Sequence, residues 1–152
     1  LIPLLEVGVR RLRPYHANIQ KRLTKSPKIY LRDTGLLHFL AGLRKPADLE
    51  TWARRGASFE GLVIEELIAA AADSAVRPEA WFWRTHAGAE VDLLLVHGRR
   101  LLPVEVKLGA AVGARDVAGL RSCMSDLDLR RAIVVYAGEE RRTMGGGITL
   151  VP

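Results

Sequence analysis

The chain has 152 residues, which is enough for one domain with its own core. Apolar residues make up 49% and charged residues 26%, as is ordinary for a soluble globular protein, and the net charge is +6. No run approaches the length of a membrane span, and a single cysteine excludes an internal disulfide.

Three further features bear on the compartment and on the extent of the chain. Cys123 fits a reducing compartment, so we expect a cytoplasmic protein, and its helix-like context favours a buried thiol over a nucleophile. The apolar start, Leu1 to Leu5, lacks a basic leader and a cleavage site, so we do not expect it to act as a signal peptide. Because no Met begins the chain, we expect a fragment of a longer protein.

The first elements in chain order are short. Residues 4–9 predict an extended run that turns at residues 13–14, and residues 28–31 predict a second strand. Asp33 is suited as the N-cap of a helix that Gly42 ends.

Positive charge is concentrated in this N-terminal part. Residues 7–32 hold eight Lys or Arg and no acid, whereas the other 126 residues together carry −2. Such a strip attracts phosphate backbones. A solvated surface, or a contact with an acidic neighbouring domain, is the alternative. The candidate nucleic-acid contacts are Arg10, Arg11, Arg13, Lys21, Arg22, Lys25 and Lys28.

Apolar residues at helical spacing predict the next element, a helix over about residues 59–73 that Ser58 caps. Glu60 lies beside the core-facing edge of its first turn and could reach a site there. Alternatively, Glu60 only complements the helix dipole. The nearby Glu65 and Glu66 leave the assignment of any one glutamate open.

A strand over residues 81–84 precedes a predicted β-hairpin, which carries the most informative residues. Two apolar runs, 90–96 and 101–107, flank Gly98–Arg99, a pair that suits a type II′ turn. With that turn, Asp92 falls directly opposite Glu105 on one face. Lys107 projects from the same face, opposite Glu90. The other face is predicted to pack on the core with Val91, Leu93, Leu95, Leu102, Val104 and Val106.

The opposed acids predict a cation site. Two carboxylates at cross-strand distance repel each other unless a cation or a proton lies between them, and Asp92 lies in an apolar run where an unpartnered charge is costly. A site built from oxygen ligands suits a hard divalent ion, Mg²⁺ or Mn²⁺. A solvated sheet face is the alternative, because a Glu-x-Lys downstream of an Asp is common by chance.

The remaining elements complete an α/β fold. A helix over about residues 114–124 lies between the hairpin and a buried strand over 131–136, so the flanking strands should be parallel. Residues 148–151 predict a weak edge strand. Four scattered histidines and one cysteine do not form a zinc site, and the glycines at 145–147 lack the lysine of an ATP-binding loop.

The order helix, three strands, helix, strand, with Glu60, Asp92, Glu105 and Lys107, resembles the PD-(D/E)xK nuclease superfamily. More closely, the whole chain resembles an uncharacterised bacterial and archaeal domain at the C-terminus of AAA-type ATPases. The segments that carry this resemblance are Lys25-Ser26-Pro27-Lys28-Ile29-Tyr30, Arg32-Asp33-Thr34-Gly35-Leu36-Leu37, Gly56-Ala57-Ser58-Phe59-Glu60-Gly61, Trp83-Arg84-Thr85, Gly88-Ala89-Glu90-Val91-Asp92 and Val104-Glu105-Val106-Lys107.

The resemblance implies a three-layer, restriction-endonuclease-like core over residues 31–152, with residues 1–30 as the remnant of a winged-helix-like region. It also implies an upstream ATPase domain, which alone would bind ATP. Within the core it implies metal binding by Asp92 and Glu105 with help from Glu60, and a Lys107 that orients or polarises the attacking water. Val91 stands where the superfamily's name has proline.

Two functional hypotheses follow. The first is a metal-dependent endonuclease acting on DNA, in which the metal stabilises charge on the scissile phosphate and activates water. The second is a non-catalytic DNA-binding or partner-docking module that regulates the attached ATPase, because a fold does not by itself establish an activity. Neither hypothesis involves a membrane.

Overall fold

The computed structural model describes residues 7–15 and 26–152. Within these residues four helices accompany one sheet of eight strands. The strands are β1 (Val9–Pro14), β2 (Lys28–Leu31), β3 (Glu79–Arg84), β4 (Glu90–His97), β5 (Arg100–Lys107), β6 (Ala132–Tyr136), β7 (Arg142–Met144) and β8 (Ile148–Val151). The helices are α1 (Thr34–Leu40), α2 (Pro46–Thr51), α3 (Arg55–Ala72) and α4 (Ala118–Asp126).

The sheet is mixed, with the strand order β2-β1-β3-β4-β5-β6-β8-β7. The chain order α3, β3, β4, β5, α4, β6 confirms the predicted order of helix, three strands, helix and strand. The strands β5 and β6 are parallel across α4, as the crossover requires. The strand β1 pairs in parallel with β3, so the N-terminal strands belong to the same sheet as the rest.

Helices cover both faces of this sheet, giving three layers. On the α3 face, Ile64 packs with Phe82, Leu93 and other fully buried residues. On the α4 face, Leu120 packs in a larger cluster that includes Val134. This arrangement explains the apolar character of β4 and β5, because both faces of the hairpin are buried.

The hairpin register agrees with the prediction. His97 pairs with Arg100, and the same count holds to the end of the recorded pairing, where Leu93 faces Val104. The pairing stops there, so the predicted pairing of Asp92 with Glu105 is not part of the ladder. The N–H of Val106 instead donates to Oδ2 of Asp92. The turn has a positive φ of 58° at Gly98 but not at Arg99, which is the pattern of a type II′ turn.

A β-bulge changes the face of the sheet on which one predicted core residue lies. The pairing of Trp81 with Leu94 shifts to Trp83 with Val91, so β4 has one more residue than β3 over this stretch. Val91 therefore packs with Leu94 on the α4 face, whereas Leu93 packs on the α3 face. The prediction that Val91 and Leu93 share a face is wrong, because the bulge depends on the pairing with β3.

Several predicted boundaries differ in the structure. The first strand extends to Pro14 instead of turning there. Its Leu12 is 1% exposed, so the hydrophobic core includes a residue that precedes the 31–152 region expected to form the core. Ser58 lies inside α3 rather than capping it, and its hydroxyl is 2.8 Å from Nε2 of His38. Asp33 caps α1 as predicted.

The C-terminal strand β8 is not an edge strand. It lies between β6 and the short β7, which sequence reasoning missed, and its Ile148 and Leu150 are buried. The structure also brings α4 very near β4, because a Cβ added at Gly119 would lie 2.3 Å from the carbonyl oxygen of Glu90. Only glycine permits this approach. No helix in residues 7–15 or 26–152 has the length and apolarity that crossing a bilayer requires.

Candidate functional site

The ammonium group of Lys28 lies at the centre of a cluster of carboxylates. Its Nζ is 2.6 Å from Glu90 Oε1, 3.0 Å from Glu60 Oε1 and 3.1 Å from Asp92 Oδ1. The Lys28 side chain is only 18% exposed. Burial alone would lower the pKa of Lys28, but the charges of Asp92 and Glu60 outweigh burial and raise that pKa above its ordinary value.

Lys28 and Tyr30 reach this cluster from the same strand. They are two residues apart on β2 and therefore share a face. The Tyr30 hydroxyl donates to Oε1 of Glu60, at 2.5 Å. Burial, reinforced by the charge of Glu60, raises the pKa of Tyr30, so the hydroxyl stays a donor. Gly61 leaves room for the ring, because a Cβ there would be 3.1 Å from Tyr30 Cδ1.

Asp92 connects this cluster to β5. Its Oδ1 accepts from Lys28, and its Oδ2 accepts from the backbone N–H of Val106 at 3.0 Å. The residue is 9% exposed. Both oxygens of Asp92 are therefore partnered, which compensates the cost of burying its charge.

Glu105 has fewer hydrogen-bond partners than Asp92. Its Oε1 accepts from Nζ of Lys107 at 2.7 Å, whereas its Oε2 is buried and has no hydrogen-bond partner among the described residues. Burial and the charge of Asp92 raise the pKa of Glu105 to about 7, against the opposing effect of Lys107. Burial alone would lower the pKa of Lys107, but Glu105 raises it, so Lys107 remains an ammonium.

The predicted site residues thus lie in one part of the molecule, in two connected groups. Lys28 joins Glu60 to Asp92, and Lys107 pairs with Glu105 on the neighbouring strand. The predicted pairing of Lys107 with Glu90 does not occur. The Glu90 carboxylate instead binds Lys28 and Arg84.

Sequence reasoning missed the roles of Lys28, Tyr30 and Glu90 in this cluster. The spacing of Lys28 and Tyr30 on a predicted strand was a usable signal, since it puts both side chains on one face. No local feature of the sequence indicated which residues this face of β2 contacts, because Lys28 and Asp92 are 64 residues apart in the chain.

Part of the predicted basic strip forms ion pairs with acidic residues of the domain itself. Arg10 and Arg32 both bind Glu65 on α3. Lys28 points into the acidic cluster, and Arg11 and Arg13 are exposed. The other predicted contacts, Lys21, Arg22 and Lys25, lie outside the described residues.

A second basic surface lies towards the edge of the sheet opposite β2, around the start of β6. A groove of about 620 Å³ is lined by three arginines, Arg130, Arg131 and Arg141, and by no acid. Threonines of β7 and β8, glycines of the loop between them and apolar residues of β5, β6 and β8 form the rest of its lining. All three arginines are exposed, and none forms an ion pair within the part of the chain that the structure describes.

The acidic cluster offers only oxygen ligands, the donor type that Mg²⁺ and Mn²⁺ prefer. The buried, unpartnered Oε2 of Glu105 fits such an ion, since a cation would satisfy it. In the arrangement seen, however, residues 7–15 and 26–152 contain no group of three or more His, Cys, Asp or Glu disposed to hold a metal. Lys28 occupies the space between Glu60, Glu90 and Asp92.

Comparison with known proteins gives a family. Residues 55–152 match a domain of unknown function designated DUF4143, and the chain belongs to that family. Residues 7–47 match a second domain of unknown function, DUF8612. The family description assigns no activity.

Two mycobacterial proteins are similar over nearly the whole chain. They are "Uncharacterized protein Mb2031c" of Mycobacterium bovis and "Uncharacterized protein Rv2008c" of Mycobacterium tuberculosis. Each is 40% identical over 144 residues, which cover 95% of this chain but 31% of the relative. The chain therefore spans about a third of the length of these relatives. No solved structure gives a significant match.

Proposed function

We propose that this domain is a divalent-metal-dependent phosphodiesterase that cleaves DNA, with a PD-(D/E)xK nuclease-like core. One observation supports this most strongly. Glu105 is 7% exposed and keeps one carboxylate oxygen without a partner among the described residues, while Lys107 donates to its other oxygen. A folded protein rarely leaves such an atom unsatisfied unless the site serves a ligand.

The roles follow from the contacts. Asp92 and Glu105, with help from Glu60, would hold Mg²⁺ or Mn²⁺, which when bound stabilises charge on a phosphate and lowers the pKa of a water molecule. Val106 fixes Asp92 through its backbone N–H, so that carboxylate is oriented before any ligand arrives. Lys107, which is 31% exposed, can reach solvent while it contacts Glu105, and it would orient the attacking water.

The test combines metal binding with strand cleavage. We expect the purified chain to bind Mn²⁺ weakly in a calorimetric titration and to nick DNA with Mg²⁺ or Mn²⁺. The double variant Asp92→Asn, Glu105→Gln should lose both. Glu66→Gln, which changes an exposed acid on α3, should retain both. Mn²⁺ binding that is the same in the double variant and the parent protein would refute the proposal.

A second candidate function is a DNA-binding module that does not cleave and that regulates an attached AAA-type ATPase. The arginine groove at β6 favours it, because three unpaired guanidinium groups without a lining acid suit a phosphate backbone. This groove adds to the N-terminal strip as a source of salt-dependent, sequence-independent affinity.

The two basic surfaces can be separated by matched variants. Arg130→Gln, Arg131→Gln and Arg141→Gln together should weaken binding to duplex DNA and make its salt dependence shallower. Arg11→Gln with Arg13→Gln tests the strip in the same way. Both sets change exposed side chains, so stability should change little. Affinity at low salt that neither set alters would point to a docking role with a protein partner instead.

A further inference from the structure

Lys28 makes an unusually complete set of contacts for a lysine. An ammonium group has three N–H donors and no acceptor. Each of the carboxylates of Glu60, Glu90 and Asp92 lies within 3.1 Å of its Nζ, so every donor has a charged partner. Such a saturated, largely buried ammonium occupies the position that a small cation would take among the same oxygens.

The strand that carries Lys28 is attached to the sheet on one side only. β2 is at the end of the strand order and pairs with β1 alone. It is held to α3 through Tyr30, which donates to Glu60, and through Arg32, which binds Glu65. A side chain delivered from an edge strand can leave the cluster without breaking the central strands β3, β4 and β5.

Without Lys28, the three carboxylates would repel each other. Arg84 contacts the other carboxylate oxygen of Glu90, and among the described residues Lys107 pairs with Glu105. The cluster then needs another cation. An independent observation lies near this cluster, since Glu105, whose pKa the charge of Asp92 helps to raise, is buried and retains an oxygen without a partner among the described residues.

We propose that Lys28 is a built-in counter-cation of the acidic cluster, and that a divalent cation binds Asp92 and Glu60 only in exchange for its ammonium group. This inference rests on the proposed metal-dependent function. It explains why the carboxylates can be buried together when no metal is bound, and it makes metal binding weaker than the oxygen ligands alone would allow. The displaced ammonium remains tethered on β2, next to the site.

The first experiment measures Mn²⁺ affinity of Lys28→Met, which keeps the unbranched stem but removes the charge. We expect affinity to rise at least about tenfold, because one elementary charge at contact distance is removed. Lys45→Met, which removes the charge of an exposed lysine, should leave affinity unchanged. Adding Asp92→Asn to Lys28→Met should cancel the gain.

The outcomes separate this inference from the proposed function. If the parent protein binds Mn²⁺ and Lys28→Met binds it equally well, the exchange is refuted and the metal site stands. If only Lys28→Met binds Mn²⁺ and the parent cleaves no DNA, the exchange holds and the proposed nuclease activity fails. If neither protein binds Mn²⁺, both are refuted.

A second measurement uses the unaltered chain, so it does not depend on a variant that folds. Acylation of lysine amines is followed by mass spectrometry with and without saturating Mn²⁺, and the exposed Lys45 serves as the internal reference. We expect Mn²⁺ to accelerate the labelling of Lys28 relative to Lys45, because the displaced amine becomes accessible. A Lys28 labelling rate that Mn²⁺ leaves unchanged or lowers overturns the exchange.

Discussion

Arg10 on β1 binds both carboxylate oxygens of Glu65 on α3, with Nε–Oε1 at 2.6 Å and Nη2–Oε2 at 3.0 Å. Arg32, which directly follows β2, adds a contact to Oε2 at 2.9 Å. This clamp holds the two N-terminal strands against the helix that carries Glu60, so the geometry of the acidic cluster depends on it.

The clamp predicts a defined dependence of stability on pH. Burial alone would raise the pKa of Glu65, but the hydrogen bonds and charges of Arg10 and Arg32 outweigh burial and lower it. A carboxyl whose pKa is lower in the folded state contributes stability above its unfolded pKa, near 4.3, and loses that contribution as pH falls through the folded pKa.

We therefore expect Glu65→Gln to lower the free energy of unfolding at pH 7 by about 2 kcal/mol, a value typical of charged hydrogen bonds that are partly exposed. The difference from the parent should shrink below about pH 4. Urea denaturation across this range measures both, and Glu66→Gln is the control on the same helix. A deficit as large at pH 3 as at pH 7 would contradict the clamp.

The approach of α4 to Glu90 predicts opposite results for two glycines. Gly119 and Gly56 are each the second residue of a helix, where replacing glycine by alanine reduces the conformational entropy lost on folding. A Cβ at Gly56 meets nothing within 4 Å, whereas one at Gly119 meets the Glu90 carbonyl at 2.3 Å. We expect Gly56→Ala to raise the midpoint of thermal unfolding and Gly119→Ala to lower it. A similar rise in both variants would argue against the close packing of α4 on β4.

Cys123 is predicted to be an inert thiol. It is fully buried against the sheet, and burial, with smaller effects from Asp126 and Glu105, raises its pKa to about 12. At pH 8 its thiolate population should be on the order of a thousandfold below that of an exposed cysteine. A disulfide reagent such as DTNB should modify it only at the rate of unfolding. Rapid modification of the native protein would show that the thiol is accessible.

The hairpin could be predicted from sequence because its determinants are local. Gly98 specifies the turn, and the count from that turn gives the observed pairing as far as Leu93 and Val104. Lys28 could be assigned to a strand but not to its partners. Its charge suggested a nucleic-acid contact, whereas folding places it among carboxylates from β4 and α3. The sequence likewise could not predict on which face of the sheet Val91 lies, because the bulge depends on pairing with β3.

The pairing of β1 with β3 has a consequence for how this domain can be divided. The family match begins at residue 55, yet the N–H of Tyr15 donates to the carbonyl of Phe82, and Leu12 packs on the Phe82 side of the sheet. A fragment cut at the family boundary would leave an apolar strand with an open edge, which invites intermolecular pairing. We therefore expect the unit that folds cooperatively to extend beyond the family match and to include β1, which begins at Val9.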